Sequence, residues 1–408
     1  MSKIKVLGPT DRYNYGDLLF PLIIKKFLST HEIEIENYAL VDSDLSKYDA
    51  LPTKHISKFY DELKPNDHII IAGGESLCAT WGDLYSYLNK NFHQVSSSKL
   101  TRALDRRVPI FTKAAKLFCK GQTEYPFSFS SHELGLETVL SLNAVGGSAI
   151  SSWSPSKKQR FARKLENHAV VGVRDMTTYR ELANTKAIPN LALYPDTAIL
   201  MNELLGEEMD NYARKENVTS GIGDEYIFFQ VGAQKYEDLD VIYNELNHIL
   251  NKTNYDLVLC PIGHAFGHED FIPLGILYKI LTTQHPGRIL FRSNMTSVYE
   301  IMALIANSKC YIGTSLHGAI TALSFGVPYV TFNTTIKKLS SFLETWGADG
   351  LKQHYETQEI FKGYNTAADH STENIKDATK PTKQRAGELL ASYLPACIER
   401  DQREAKHD

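Results

Sequence analysis

The chain has 408 residues, 43% of them apolar and 23% charged, with a formal net charge of −4. That length suits two or three domains with cores of their own, and the slight acidity excludes the basic footprint of a nucleic-acid binder. Cys78, Cys119, Cys260, Cys310 and Cys397 stand far apart with no C-x-x-C pair, which points to free thiols in a reducing compartment.

The first eight residues read as a strand, not a signal peptide, and no apolar run is long enough to span a bilayer. A cytoplasmic protein is expected. Short apolar runs then alternate with amphipathic helical ones, the pattern of parallel, doubly wound sheets. The spacing predicts strands at 4–7, 34–41, 68–72, 139–145 and 169–173, and helices at 18–29, 157–167 and 176–183. A basic insertion interrupts the pattern at about 95–135. Its segment 99–120 carries Lys99, Arg102, Arg106, Arg107, Lys113, Lys116 and Lys120 against one acid, Asp105. Apolar residues interleave, so this surface suits peripheral contact with anionic lipid; a solvated helical face or a dimer contact fits as well.

Residues 210–224 are polar and read as a linker. The alternation restarts with strands at 226–231, 256–260, 288–291, 309–312 and 329–332, and helices at about 239–251, 274–283, 297–307 and 316–325. Residues 353–380 read as loop-rich and 384–398 as a final helix. The expected fold is α/β: two Rossmann-like domains, 1–210 and 225–350, then a tail, 351–408, whose helix packs back on the first domain. The active site belongs in the interdomain cleft, at the carboxyl ends of the strands.

Five spots lie just after strands. Asn14 and Asp17 follow the first, as sugar or phosphate contacts, with Asp17 alternatively a helix cap. Gly73-Gly74-Glu75-Ser76 follow the third; paired glycines admit a ligand close to the backbone, or simply make a tight turn. Arg174 offers a planar fork to a carboxylate or phosphate, or pairs internally with Asp175 or Asp196. His264, His268 and Asp270 lie in a glycine-broken loop, better suited to substrate contact than to a metal. Thr314-Ser315-Leu316-His317 sit where a strand turns into a helix. Such a turn aims free N–H groups at an anion and places His317 beside it as a proton donor. The plain alternative is a capped helix with a packed histidine. There is no G-x-G-x-x-G in the first turn, no P-loop and no G-x-S-x-G elbow.

In order and spacing, Asn14-Tyr15-Gly16-Asp17, Gly73-Gly74-Glu75-Ser76-Leu77, Val173-Arg174-Asp175, Pro195-Asp196-Thr197-Ala198, Ser315-Leu316-His317, Gly326-Val327-Pro328 and Lys338 resemble the polysaccharide pyruvyl transferase family. The resemblance implies a GT-B-like fold. It also implies transfer of a pyruvyl group from phosphoenolpyruvate to a sugar, free or carried on undecaprenyl diphosphate as an exopolysaccharide or capsule precursor, forming a cyclic ketal and releasing phosphate. No redox cofactor or metal is required. Many members carry arginine where this chain has Ser315, and that arginine is expected to hold phosphoenolpyruvate. The charge would then fall to Arg174, Arg292 or Lys338. His317 is the expected acid; Asp17, Glu75, Asp196 and Asp270 stand open as the base. The rival readings are a GT-B nucleotide-sugar glycosyltransferase and a non-catalytic carbohydrate-binding relative. Oligomeric state is not legible.

Overall fold

The computed structural model describes residues 3–96, 98, 101, 105, 109–223 and 225–395. The first sheet holds β1 (Lys3–Leu7), β2 (Glu34–Ala39), β3 (Lys54–His55), β4 (His68–Ile71), β5 (Val139–Val145), β6 (Val170–Val173) and β7 (Leu191–Leu193). Its order is β3-β2-β1-β4-β5-β6-β7 and every pairing is parallel. The second sheet holds β8 (Tyr226–Gln230), β9 (Asp256–Leu259), β10 (Ile289–Phe291), β11 (Cys310–Gly313), β12 (Tyr329–Phe332) and β13 (His354–Tyr355), ordered β10-β9-β8-β11-β12-β13, again all parallel. Helices cover both faces of such sheets, so the central strands are buried on both sides and read as apolar runs. Every residue of β4, β8 and β12 is buried.

Three expectations are corrected. The linker at 210–224 is largely the end of a helix, Met201–Glu216, whose Leu205 and Met209, one turn apart, are buried while its acidic face is wet. The second sheet continues past residue 350, because β13 pairs with β12. The supposedly loop-rich 353–380 instead holds β13, the Ile360–Ala368 helix and the start of a long helix, Thr372–Ala391. Ser371 caps that helix by accepting a bond from Asn374 N, and Pro381 lies inside it. Strands β3, β7 and β13 have two or three residues each, too few to show a period in sequence. The Thr372–Ala391 helix packs Leu389 against Gly172 of the first sheet, and beyond it Tyr393 Oη donates to Asn143 Oδ1 at 3.1 Å.

The two sheets are joined across their carboxyl ends. Tyr15 N donates to Ile262 O at 3.0 Å, His264 N to Tyr13 O at 3.1 Å, and Asn14 bridges to Gly263. Beneath them Tyr15 Oη and Thr321 Oγ1 lie 2.9 Å apart. Among the described residues no helix is long and apolar enough to cross a membrane. Of the basic segment, Lys99, Arg102, Arg106 and Arg107 lie outside the described residues; Lys113, Lys116 and Lys120 are within them.

Candidate active site

In each sheet the strand order reverses once, between β1 and β4 in the first and between β8 and β11 in the second. Loops diverge at such a reversal and leave a crevice there. The two crevices face each other, and three of the five motifs, those after β1, β4 and β11, follow the strands that flank them.

On the first-domain side Asn14 Nδ2 donates to Asp17 Oδ2 at 2.8 Å. Gly73 and Gly74 both have positive φ, +123° and +76°, which a side chain would strain. They let Asp17 come against the loop backbone: a Cβ on Gly74 would lie 3.1 Å from Asp17 Oδ1. Arg174 is buried and closed on both arms. Its Nη1 donates to Asp196 Oδ2 at 2.8 Å and its Nη2 to Glu75 Oε2 at 3.1 Å. Glu75 Oε1 also accepts from Ser148 N and Oγ, both at 2.7 Å. Arg174 O in turn accepts from Trp346 Nε1 of the second domain at 2.8 Å.

Electrostatics separate these acids. Burial pushes Asp196 upward, but His317 and Arg174 outweigh it and hold its carboxyl below the usual range. Glu75 likewise ends low, with Arg174 and the Ser148 donors overcoming burial. Asp17 differs: burial raises its carboxyl despite the nearby His317, Arg12, Lys338 and Arg174. A carboxyl held high is the stronger base once it loses its proton.

His317 crosses the cleft. It starts the Leu316–Phe325 helix, which Ser315 caps through its hydroxyl, accepting from Gly318 N at 3.3 Å. Its Nε2 is buried 3.4 Å from Asp196 Oδ2, without a hydrogen bond in good alignment. Its Nδ1 lies over Gly16, where any Cβ would sit 1.8 Å away. The Phe20 ring meets the imidazole edge-on at 5.4 Å. Nε2 thus faces Asp196 and Nδ1 the Gly16 backbone, so the first domain fixes the plane of the ring.

The second-domain side carries two lysines that form no salt bridge among the described residues. Lys338, in the first turn of the Lys337–Trp346 helix, and Lys235, in the loop after β8, are both exposed. The cleft walls, Arg174 and Lys235 press the Lys338 ammonium below its usual value, opposed by Glu75 and Asp17. Solvent access screens part of that push. Lys235 was not legible as a site residue. Its only signal is its place after β8, at the strand-order reversal, beside the Ser315 loop on β11. Gly232 N donates to Thr314 Oγ1 at 3.0 Å and Asn333 Nδ2 to Lys235 O at 2.9 Å, which ties the lysine's loop to the helix start. His268 lies with this group. Burial, then Lys338 and Lys235, lower it to about 4, so it stays neutral.

Several expected residues do other work. Arg292 is not at the donor side: Nη2 donates to Val218 O at 2.6 Å and Nε lies 3.2 Å from Glu300. Asp270 is consumed by its own loop, accepting from Gln230 Nε2, Ile262 N and Gly263 N at 2.8, 3.2 and 3.1 Å. That clamp shapes the loop that pairs with Asn14. Thr314 is buried with its hydroxyl bound to Gly232 N. The Leu316 side chain is in the core and Ser76 is buried, so only their backbones can serve a ligand. His264 is wedged between Tyr13 and Phe271, and burial lowers it to about 4. Among the described residues no three His, Cys, Asp or Glu side chains converge to hold a metal ion.

Two Rossmann-like domains whose crevices face one another define a GT-B-like protein. Solved structures agree on that fold. S. aureus MnaA, in a co-structure with UDP, is 13% identical with a TM-score of 0.52, covering 97% of this chain and 98% of its own. UDP-GlcNAc 2-epimerase from Neisseria meningitidis, bound to UDP-GlcNAc, is 12% identical at 0.53, covering 98% and 100%. The Methanocaldococcus jannaschii enzyme, in complex with UDP-GlcNAc and UDP, is 11% identical at 0.55, covering 97% and 99%. No curated protein matches the chain in sequence. The family model for polysaccharide pyruvyl transferase matches residues 14–335, and the chain belongs to that family.

Proposed function

We propose that the protein moves the pyruvyl group of phosphoenolpyruvate onto two hydroxyls of one sugar, in a surface polysaccharide or its lipid-linked precursor, and releases phosphate. One observation carries this reading: His317, 3.4 Å from buried Asp196, and Lys338 both act on the buried Asp17 carboxyl in one cleft, in a chain of this family.

His317 gives a proton to the methylene carbon of phosphoenolpyruvate, which makes the neighbouring C2 electrophilic. Asp196 stabilises the imidazolium before the transfer. The first sugar hydroxyl adds to C2, and Asp17 takes its proton, replacing the one His317 gave. The C–O bond to phosphate breaks, the second hydroxyl closes the ketal, and its proton leaves on the phosphate. Lys338 and Lys235 neutralise the donor's carboxylate and phosphate, helped by the free N–H groups where the Leu316–Phe325 helix begins. In this chain Lys235 supplies the charge that Ser315, occupied in capping, lacks.

The test is mass spectrometry of lipid-linked and free galactosides, glucosides and mannosides after incubation with phosphoenolpyruvate. The mass increment of a pyruvate ketal on one of them is expected. Sugar binding with no increment on any acceptor would favour a non-catalytic relative.

A further inference from the structure

Beside the cleft, the first domain carries a short helix, Ile110–Phe118, whose outer face is exposed among the described residues. Leu117 is 76% exposed, Phe118 60% and Ile110 52%, and Val95 on the neighbouring Lys90–Ser96 helix is 55% exposed. Ile110, Lys113 and Leu117 recur at three- and four-residue steps and share one stripe, and Lys120 follows just past the helix end. Lys113 and Lys120 are exposed and form no salt bridge among the described residues. Lys116 adds a third positive charge, its ammonium donating to Gln122 O at 3.1 Å. The opposite face is anchored. Ala115 and Cys119 are buried, Gly82 packs on Thr112, and the Gly121 backbone lies against the Trp81 ring. Asp105, the one acid of this segment, is used internally, accepting from Phe111 N at 2.7 Å and Thr112 Oγ1 at 2.8 Å.

The same arm of the fold ends at the cleft. The Tyr87 ring lies 5.1 Å from the His268 ring, and His93 meets Gly267 across the domain boundary. A surface met by Leu117 and Phe118 would therefore lie next to the mouth of the site.

We propose that the Leu117–Phe118 face, with Lys113, Lys116 and Lys120, docks on an anionic lipid bilayer and holds the cleft mouth at the membrane surface. Exposed apolar side chains interleaved with lysines match the layered chemistry of a lipid interface: acyl chains below, negative headgroups above. The second exposed apolar stripe lacks this character. Ile272, Ile276 and Ile280 line the outer face of the Phe271–Gln284 helix, with Lys279 as the one cation along it. The docking proposal rests on the proposed function only for its purpose, which is to present a lipid-linked sugar to the site.

The whole protein is sedimented with vesicles of phosphatidylcholine alone and of phosphatidylcholine mixed with phosphatidylglycerol, at low and high salt. Binding to the anionic vesicles is expected, falling as salt rises. The pair Leu117→Ser and Phe118→Ser should abolish it. The pair Lys113→Glu and Lys120→Glu should weaken it by roughly tenfold or more, since each basic residue near such a surface counts for about a fivefold change. Both variants change exposed residues, so their melting curves should match the parent. Ile272→Ser with Ile276→Ser should bind like the parent. Failure to bind anionic vesicles, equal loss through Ile272 and Ile276, or self-association through Leu117 in place of vesicle binding would each overturn the proposal. Transfer to a free, lipid-less acceptor by the Leu117 and Phe118 variant keeps the two readings apart: it should match the parent whether or not vesicles bind.

Discussion

On the first-domain side of the cleft the arginine is matched: Arg174 is closed by Glu75 and Asp196, while Asp17 takes a hydrogen bond from the neutral Asn14 amide. On the second-domain side Lys235 and Lys338 face open space, and the helix that begins at Leu316 offers unfilled N–H groups. The contrast separates two jobs. Matched charges hold a geometry, because each ion is already satisfied and loses its partner if it moves. Water satisfies an exposed lysine, and under the proposed function an anionic donor takes the place of that water. His317 belongs to both sides, rooted in the second domain and oriented by an acid of the first.

The largest effect is expected at that junction. His317→Ala should lower turnover by about 10²–10⁴-fold, the usual worth of general acid catalysis, with acceptor affinity changed less. His317→Gln keeps a donor but cannot release a proton and should be nearly as inactive. A histidine variant with near-normal turnover would remove His317 from the chemistry and leave a packing residue.

Breaking the matched side should show in stability as much as in rate. Arg174→Met strands Asp196, which is fully buried, and removing one partner of a buried pair costs about 3–5 kcal/mol. Denaturant unfolding should register that loss. A stable Arg174→Met protein would mean the network is not what holds the first-domain rim.

Breaking the unmatched side should do the opposite: affinity falls and the fold stays. Lys235→Ala should raise KM for phosphoenolpyruvate roughly tenfold or more, as for loss of a charged hydrogen bond of about 1.5–3 kcal/mol, with kcat less affected. Adding Ser315→Arg to that variant should restore the affinity, because the arginine would start from the adjacent strand end. An unchanged KM in Lys235→Ala would return Lys235 to the surface.

The smallest effect concerns the clamp behind the site. Burial lifts the Asp270 carboxyl from its usual value to about 7. In the unfolded chain it gives up its proton near pH 4. Between those values the folded state binds the extra proton, so this group's contribution to stability falls as pH rises from about 4 to about 7. Asp270→Asn should flatten that part of the pH–stability curve. An identical slope in the variant would show that Asp270 does not titrate there.

Most of the fold was legible because parallel strands buried on both faces leave continuous apolar runs, as at His68–Ile71 and Tyr329–Phe332. Elements that pack through one thin stripe were not. The Met201–Glu216 helix shows mostly its wet face, and β3, β7 and β13 are shorter than any period. In the site, Asn14, Asp17, Glu75, Arg174, Asp196 and His317 were legible because they fall after strands in an order that resembles one family. Arg292 was misplaced because an arginine after a strand looks the same whether it meets a ligand or the Val218 carbonyl. Lys235 was missed because nothing local marks it; only the strand order, with β8 beside β11, sets it next to Ser315.

The most direct test of pyruvyl transfer follows the leaving group. The protein is incubated with a sugar acceptor and either phosphoenolpyruvate or a UDP-sugar, and released phosphate and UDP are both measured, beside His317→Ala. Phosphate release that depends on acceptor and phosphoenolpyruvate, and disappears in His317→Ala, is the expected result. UDP release with no phosphate from phosphoenolpyruvate would contradict it and make the cleft that of a nucleotide-sugar enzyme.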